Sequence, residues 1–140
     1  MEPSGDSSLN GDTAPGNACG ISGVCLNYSP PVSGPADLGL VRVPPPDANH
    51  KSCWLQSASP VHKLTGLDGI PILIATGEAS YHATYDYCTS AFLTQAGVAN
   101  EWVYLPTVGL YGNGHMQMLE MNNLDLASFY EQWLARKLLR

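Results

Sequence analysis

The sequence predicts an α/β fold with a mostly parallel sheet, and three observations carry that prediction. The run from Ile70 to Ala75 is continuously apolar and rich in β-branched residues, with turn residues after it. That is the pattern of a strand buried on both faces. Glu101 to Leu105 is a second strand candidate, closed by Pro106. Helical patterns lie between and after these runs, and the order strand, helix, strand, loop, helix implies a right-handed parallel crossover.

The elements follow in order. Residues 1–69 hold nine prolines and nine glycines, whereas residues 70–140 hold two and five. The first part contains Pro30-Pro31 and Pro44-Pro45-Pro46. Proline lacks the N–H and blocks the preceding turn, so this part is expected to be an irregular loop or cap, with a short helical turn near Ala36–Leu40. Residues 70–140 are expected to form the regular part. From Thr84 to Gln95, Tyr85, Cys88, Phe92 and Ala96 share one helical face, and Gly97 is placed to end the helix. Leu124 to Leu139 is the last helix, with Leu126, Tyr130, Trp133, Leu134 and Leu138 on its apolar stripe. Asn123 is placed to cap it and Asp125 sits in its first turn. Arg136, Lys137 and Arg140 crowd its end, as the helix dipole favours.

Composition excludes several classes. A chain of 140 residues has room for one domain, or for part of a larger one. Its 6 basic and 12 acidic side chains give a net charge of −6, which disfavours nucleic acid and anionic membrane as partners. With 44% hydrophobic and 13% charged residues, it has a core to bury. No run approaches the ~20 apolar residues of a membrane span. The opening Met-Glu-Pro-Ser-Gly-Asp has neither a basic flank nor an apolar stretch, so no signal peptide is expected. Localisation stays open on this basis. Cys19 and Cys25 could bridge locally and Cys53 and Cys88 at longer range in an oxidising compartment; without an export signal, free thiols are the expectation. Asn27-Tyr28-Ser29 has the form of a glycosylation acceptor but is followed directly by Pro30, and is discounted.

The most informative stretch is Leu110-Tyr111-Gly112-Asn113-Gly114-His115-Met116, continuing Gln117-Met118-Leu119-Glu120-Met121. It puts a histidine on a Gly-rich loop between the second strand and the last helix. Histidine titrates near neutrality, so a rigidly held one can be a general base. The plainer alternative is a ring that caps the next helix or satisfies a buried carbonyl.

This stretch resembles the catalytic-histidine loop of α/β-hydrolases, in a branch of bacterial and fungal esterases reading roughly Gly-x-His-Gly-Asn-Gly/Ser-His-Met. The resemblance extends upstream through Ile70 to His82, covers the second half of the chain well, and covers the first half loosely. It implies that the chain supplies the C-terminal part of an α/β-hydrolase sheet, with His115 in the catalytic slot. It implies no cofactor and no metal, and a small-molecule ester or metabolite as partner. The branch carries a further histidine where this chain has Tyr111. Two acids compete. Glu2, in Met1-Glu2-Pro3-Ser4-Gly5, resembles a Glu-Pro-Ser-Gly of fungal members and is preferred; Glu78 follows the strand after which many α/β-hydrolases carry their acid.

A serine hydrolase also needs a nucleophile on a Gly-x-Ser-x-Gly elbow. That pattern is absent from the 140 residues, and Gly20-Ile21-Ser22-Gly23-Val24 comes closest. The chain alone is therefore expected to be inactive or crippled. Alternatives are a truncated, non-catalytic remnant or interaction module, or a non-hydrolytic enzyme of small-metabolite biosynthesis with His115 as base. An open sheet edge would invite self-association.

Tyr81, His82, Tyr85 and Asp86 cluster at the end of the first strand, where ligands bind in open α/β sheets. Tyr81, His82 and Tyr111 are the candidate substrate contacts. His82 and Asp86 are four apart, so they could pair on the surface; a metal between them is the weaker option. His50 and His62 read as ordinary loop residues. Met116, Met118 and Met121 read as core packing, because methionine fills irregular gaps.

Overall fold

The computed structural model describes residues 26–138. Two small sheets share its core. β1 (Leu40–Val43) pairs antiparallel with β2 (Cys53–Gln56), and β3 (Ile72–Thr76) pairs parallel with β4 (Asn100–Tyr104). In the parallel pair, Ile72 stands opposite Asn100 and Thr76 opposite Tyr104. α1 (Asp86–Gln95) connects these two strands, and α2 (Asn123–Leu138) closes the described chain. The mixed α/β class and the parallel pairing follow the expectation.

The antiparallel pair does not. Its strands flank Pro44-Pro45-Pro46 rather than include them, so the prolines fall in the connection and break no ladder. The helical turn expected near Ala36 is a 3-10 turn, Pro35–Leu38, ended by Gly39 in the left-handed region.

The main core draws on both parts of the chain. Tyr28, Leu38 and Leu64 pack with Ile74 of β3 and with Phe92, Leu93, Ala96 and Val98 in and after α1. All four residues of the expected α1 face, Tyr85, Cys88, Phe92 and Ala96, are buried. Gly97 follows with φ +81, a conformation that a side chain would strain. A disulfide joins Cys53 of β2 to Cys88 of α1. This overturns the free-thiol expectation for that pair. Packing of β2 on α1 brings the two Cα atoms to 5.2 Å, a separation that a bridge spans. Cys19 and Cys25 lie outside the described residues. A second cluster, Ala75, Leu105 and Leu126, packs α2 against the parallel pair. Of the expected α2 stripe, Leu126 and Trp133 are buried, while Leu134 and Leu138 are exposed. Among the described residues, no helix is long and apolar enough to cross a membrane.

Candidate functional site

The site is built where the chain leaves the carboxyl end of β3. Ala75 and Thr76 are buried, and Gly77 follows. A Cβ placed on Gly77 would lie 2.2 Å from the carbonyl oxygen of Asn113 and 2.9 Å from that of Gly114. Only glycine therefore lets the histidine loop approach this closely.

Polar bonds hold the loop on several sides. The Ala79 N–H donates to the Asn113 carbonyl at 2.9 Å. The Gly112 N–H donates to the Glu78 carboxylate at 2.9 Å, with Gly112 at φ +73, and the Gly114 N–H donates to Glu120 at 2.8 Å. Asn113 and Asn122 exchange amide bonds at 2.6 and 3.3 Å. Beyond the histidine, Gln117 donates to the Ala75 carbonyl at 3.0 Å and accepts from the Tyr130 hydroxyl. His115 is thus carried on a frame of backbone groups, carboxylates and carboxamides that satisfy one another.

A second histidine comes from the other side. Ser80 accepts from the His82 N–H at 3.1 Å and so opens the 3-10 turn Tyr81–Thr84, which carries His82 inward. The His82 ring is wholly buried and bonds through Nδ1 to Asp86 Oδ1 at 3.1 Å, with Asp86 equally buried. Asp86 Oδ2 accepts from the Thr76 hydroxyl at 2.7 Å, and Thr76 in turn accepts from the Trp102 indole N–H at 3.0 Å. The expected surface pair is a buried one, because the turn after Ser80 brings residue 82 inward before α1 begins. Among the described residues, no cluster of three or more metal-ligating side chains occurs.

The two histidines meet. Their rings stack at 4.6 Å between centroids and 5° between planes. Tyr81 contacts both, at 4.3 Å from His82 and 5.0 Å from His115. Of the sequence candidates, Tyr81, His82 and His115 therefore come together, and Glu78 reaches the same loop through the Gly112 backbone. Tyr111 is exposed, and Glu2 lies outside the described residues. Sequence reasoning missed Thr76 and Trp102. Only the register of the parallel pair, which puts Trp102 opposite Ile74 and two positions along from Thr76, brings them near Asp86.

A cavity of about 400 Å³ opens beside His115, between the segment after it and α2. Met116, Met118, Leu126, Ala127 and Tyr130 line it, together with Gln117 and Asn123, and no Asp, Glu, Lys or Arg does. The methionines expected in the core are largely exposed instead: Met116 by 51%, Met118 by 64% and Met121 completely. The loop is held by polar bonds, so these side chains are not needed to pack it.

The chain is 43% identical over 109 residues to a protein described as "Probable secreted lipase phiG" from Fungal sp. (strain ATCC 74256). The match covers 76% of this chain but 30% of that protein, so the chain spans less than a third of the relative's length. The similarity supports a lipase- or hydrolase-like relationship. No protein-family model matches the chain. No solved structure matches it either.

Proposed function

We propose that this chain carries the histidine part of a site that hydrolyses carboxylic esters, with His115 as general base. The observation that supports it most is the position of His115: it lies on a clamped loop after a parallel strand, at the lip of a largely apolar cavity. In such a site the base takes the proton of an attacking hydroxyl and returns it to the leaving alcohol. The acid that orients the ring is proposed from Glu2 or Glu78. Tyr81 and Tyr111 are exposed and are proposed as substrate contacts, whereas His82 is buried. The cavity would take the hydrocarbon part of the ester. The disulfide, and the word "secreted" in the relative's description, favour folding in an oxidising compartment.

Because the 140 residues contain no Gly-x-Ser-x-Gly elbow, the chain alone should form no acyl-enzyme. The purified chain is expected to resist a fluorophosphonate probe and to give no burst with nitrophenyl esters; stoichiometric serine labelling would refute this. Grafted in place of the matching segment of the similar lipase, the chain should support ester turnover. His115→Ala should then lower kcat by about 10²–10⁴-fold. A graft that is active and keeps its rate after this substitution would remove His115 from the mechanism. A second reading, a non-catalytic interaction module, is favoured by the exposed Met118, Leu119, Met121 and Leu124. It predicts a graft that folds but stays inactive.

A further inference from the structure

His82 is a buried group that the proposed reaction does not use. Its Nε2 is buried and has no hydrogen-bond partner. The surrounding polar atoms form a series: Trp102 donates to Thr76, Thr76 donates to Asp86, and His82 Nδ1 lies 3.1 Å from the other oxygen of Asp86. A carboxylate only accepts, so the ring proton sits on Nδ1 and leaves Nε2 as a bare lone pair. A proton on Nε2 would have no acceptor in these surroundings.

A buried Nε2 cannot touch substrate, so any effect of His82 must pass through a neighbour. That neighbour is His115, whose ring lies parallel to it at 4.6 Å. Tyr81 and Tyr85 contact the His82 ring at 4.3 and 4.8 Å and restrict its tilt. Asp86 fixes it in plane. A ring held this way offers His115 a flat surface of fixed orientation.

We propose that His82, locked by Asp86, is a positioning residue that sets the plane of the His115 ring. The proposal rests on the reading of His115 as the base. Its test uses the full 140-residue chain and needs no ester turnover. Nitrogen-15 correlation spectra read the tautomer of His82, and iodoacetamide alkylation followed by mass spectrometry and NMR reads which nitrogen of His115 reacts. The expected wild-type result is an Nδ1–H tautomer at His82, together with a His115 nitrogen preference shifted from that of free histidine by about fivefold, on the order of a ring-pair energy. His82→Phe, which keeps a flat ring, should retain that preference. His82→Ala should return it to the free-histidine ratio, and Asp86→Asn should mix the His82 tautomers.

An Nε2–H tautomer in the wild type, or a His115 nitrogen preference equal to that of free histidine, overturns the proposal even if every variant fails to fold. A folded His82→Ala chain with an unchanged preference overturns it too. None of these outcomes bears on whether His115 is the base, which the graft decides separately.

Discussion

Gly77→Ala is the sharpest test of how the histidine loop is held. The new methyl group would start 2.2 Å from the Asn113 carbonyl oxygen, and a tolerable contact begins at 3.0–3.4 Å. The loop must therefore retreat by about 1 Å, because the obstructing atoms are backbone and cannot rotate away. The same carbonyl accepts from Ala79 at 2.9 Å, so retreat weakens the bond that joins the two loops. Overpacking of this kind costs about 1–3 kcal/mol. For a domain of this size that lowers Tm by roughly 4–12 °C. In the active graft, a ~1 Å displacement of His115 should cost about 10²-fold in kcat. Gly34→Ala is the control, since nothing lies within 4 Å of its Cβ and its backbone is extended. Thermal melts and the His115 ring resonances provide the assay. A Gly77→Ala chain that melts within ~2 °C of wild type, with unshifted His115 signals, would refute the close-approach argument.

Two further predictions concern stability. The Cys53–Cys88 bond spans a sequence separation of 35. Loop-closure entropy puts its contribution near ~4 kcal/mol, so a Cys53→Ala, Cys88→Ala chain should lose about that much in urea unfolding, and a loss below ~1 kcal/mol would contradict it. Burial pushes the Tyr28 phenol from 10.0 up to about 12. Its folded pKa lies above the unfolded one, so its contribution is complete below pH 10.0 and is lost as pH rises toward about 12. The size of the shift caps that loss at about 2–3 kcal/mol. Tyr28→Phe should flatten the alkaline decline, and an equally steep decline in that variant would count against the assignment.

The parallel pair and both helices are legible in the sequence because each has a strong periodic pattern that local physics already favours. Ile72–Thr76 is almost wholly apolar, and Tyr85, Cys88, Phe92 and Ala96 recur at helical spacing. β1 and β2 are not legible, since four-residue strands beside a proline triplet carry little periodicity. The side chains that hold this pair come from the distant α1, through the Cys53–Cys88 bridge and the bonds between Gln56 and Gln95. The pairing of His82 with Asp86 follows from spacing, but its burial does not. The bonds that hold Asp86 inside run through Thr76 to Trp102, and these two meet only once β3 and β4 are in register. Met116, Met118 and Met121 read as core because residue type alone does not reveal what holds a loop.

The exposure of those methionines bears on the proposed mechanism. A loop packed by methionines would leave His115 on an adaptable support, since the thioether side chain repacks easily. Here the support is instead Gly77 pressed against the Asn113 and Gly114 carbonyls, Glu78 and Glu120 on loop N–H groups, and the reciprocal amides of Asn113 and Asn122. Hydrogen bonds of this kind are directional, so they define the position of the histidine as well as stabilise it. Met116 and Met118 are left free to line the cavity, where adaptability would suit the proposed hydrocarbon part of an ester. In the proposed site, rigid support for the base and a pliable wall for the ligand therefore fall to different residues of one segment, polar groups and backbone for the first and Met116 and Met118 for the second.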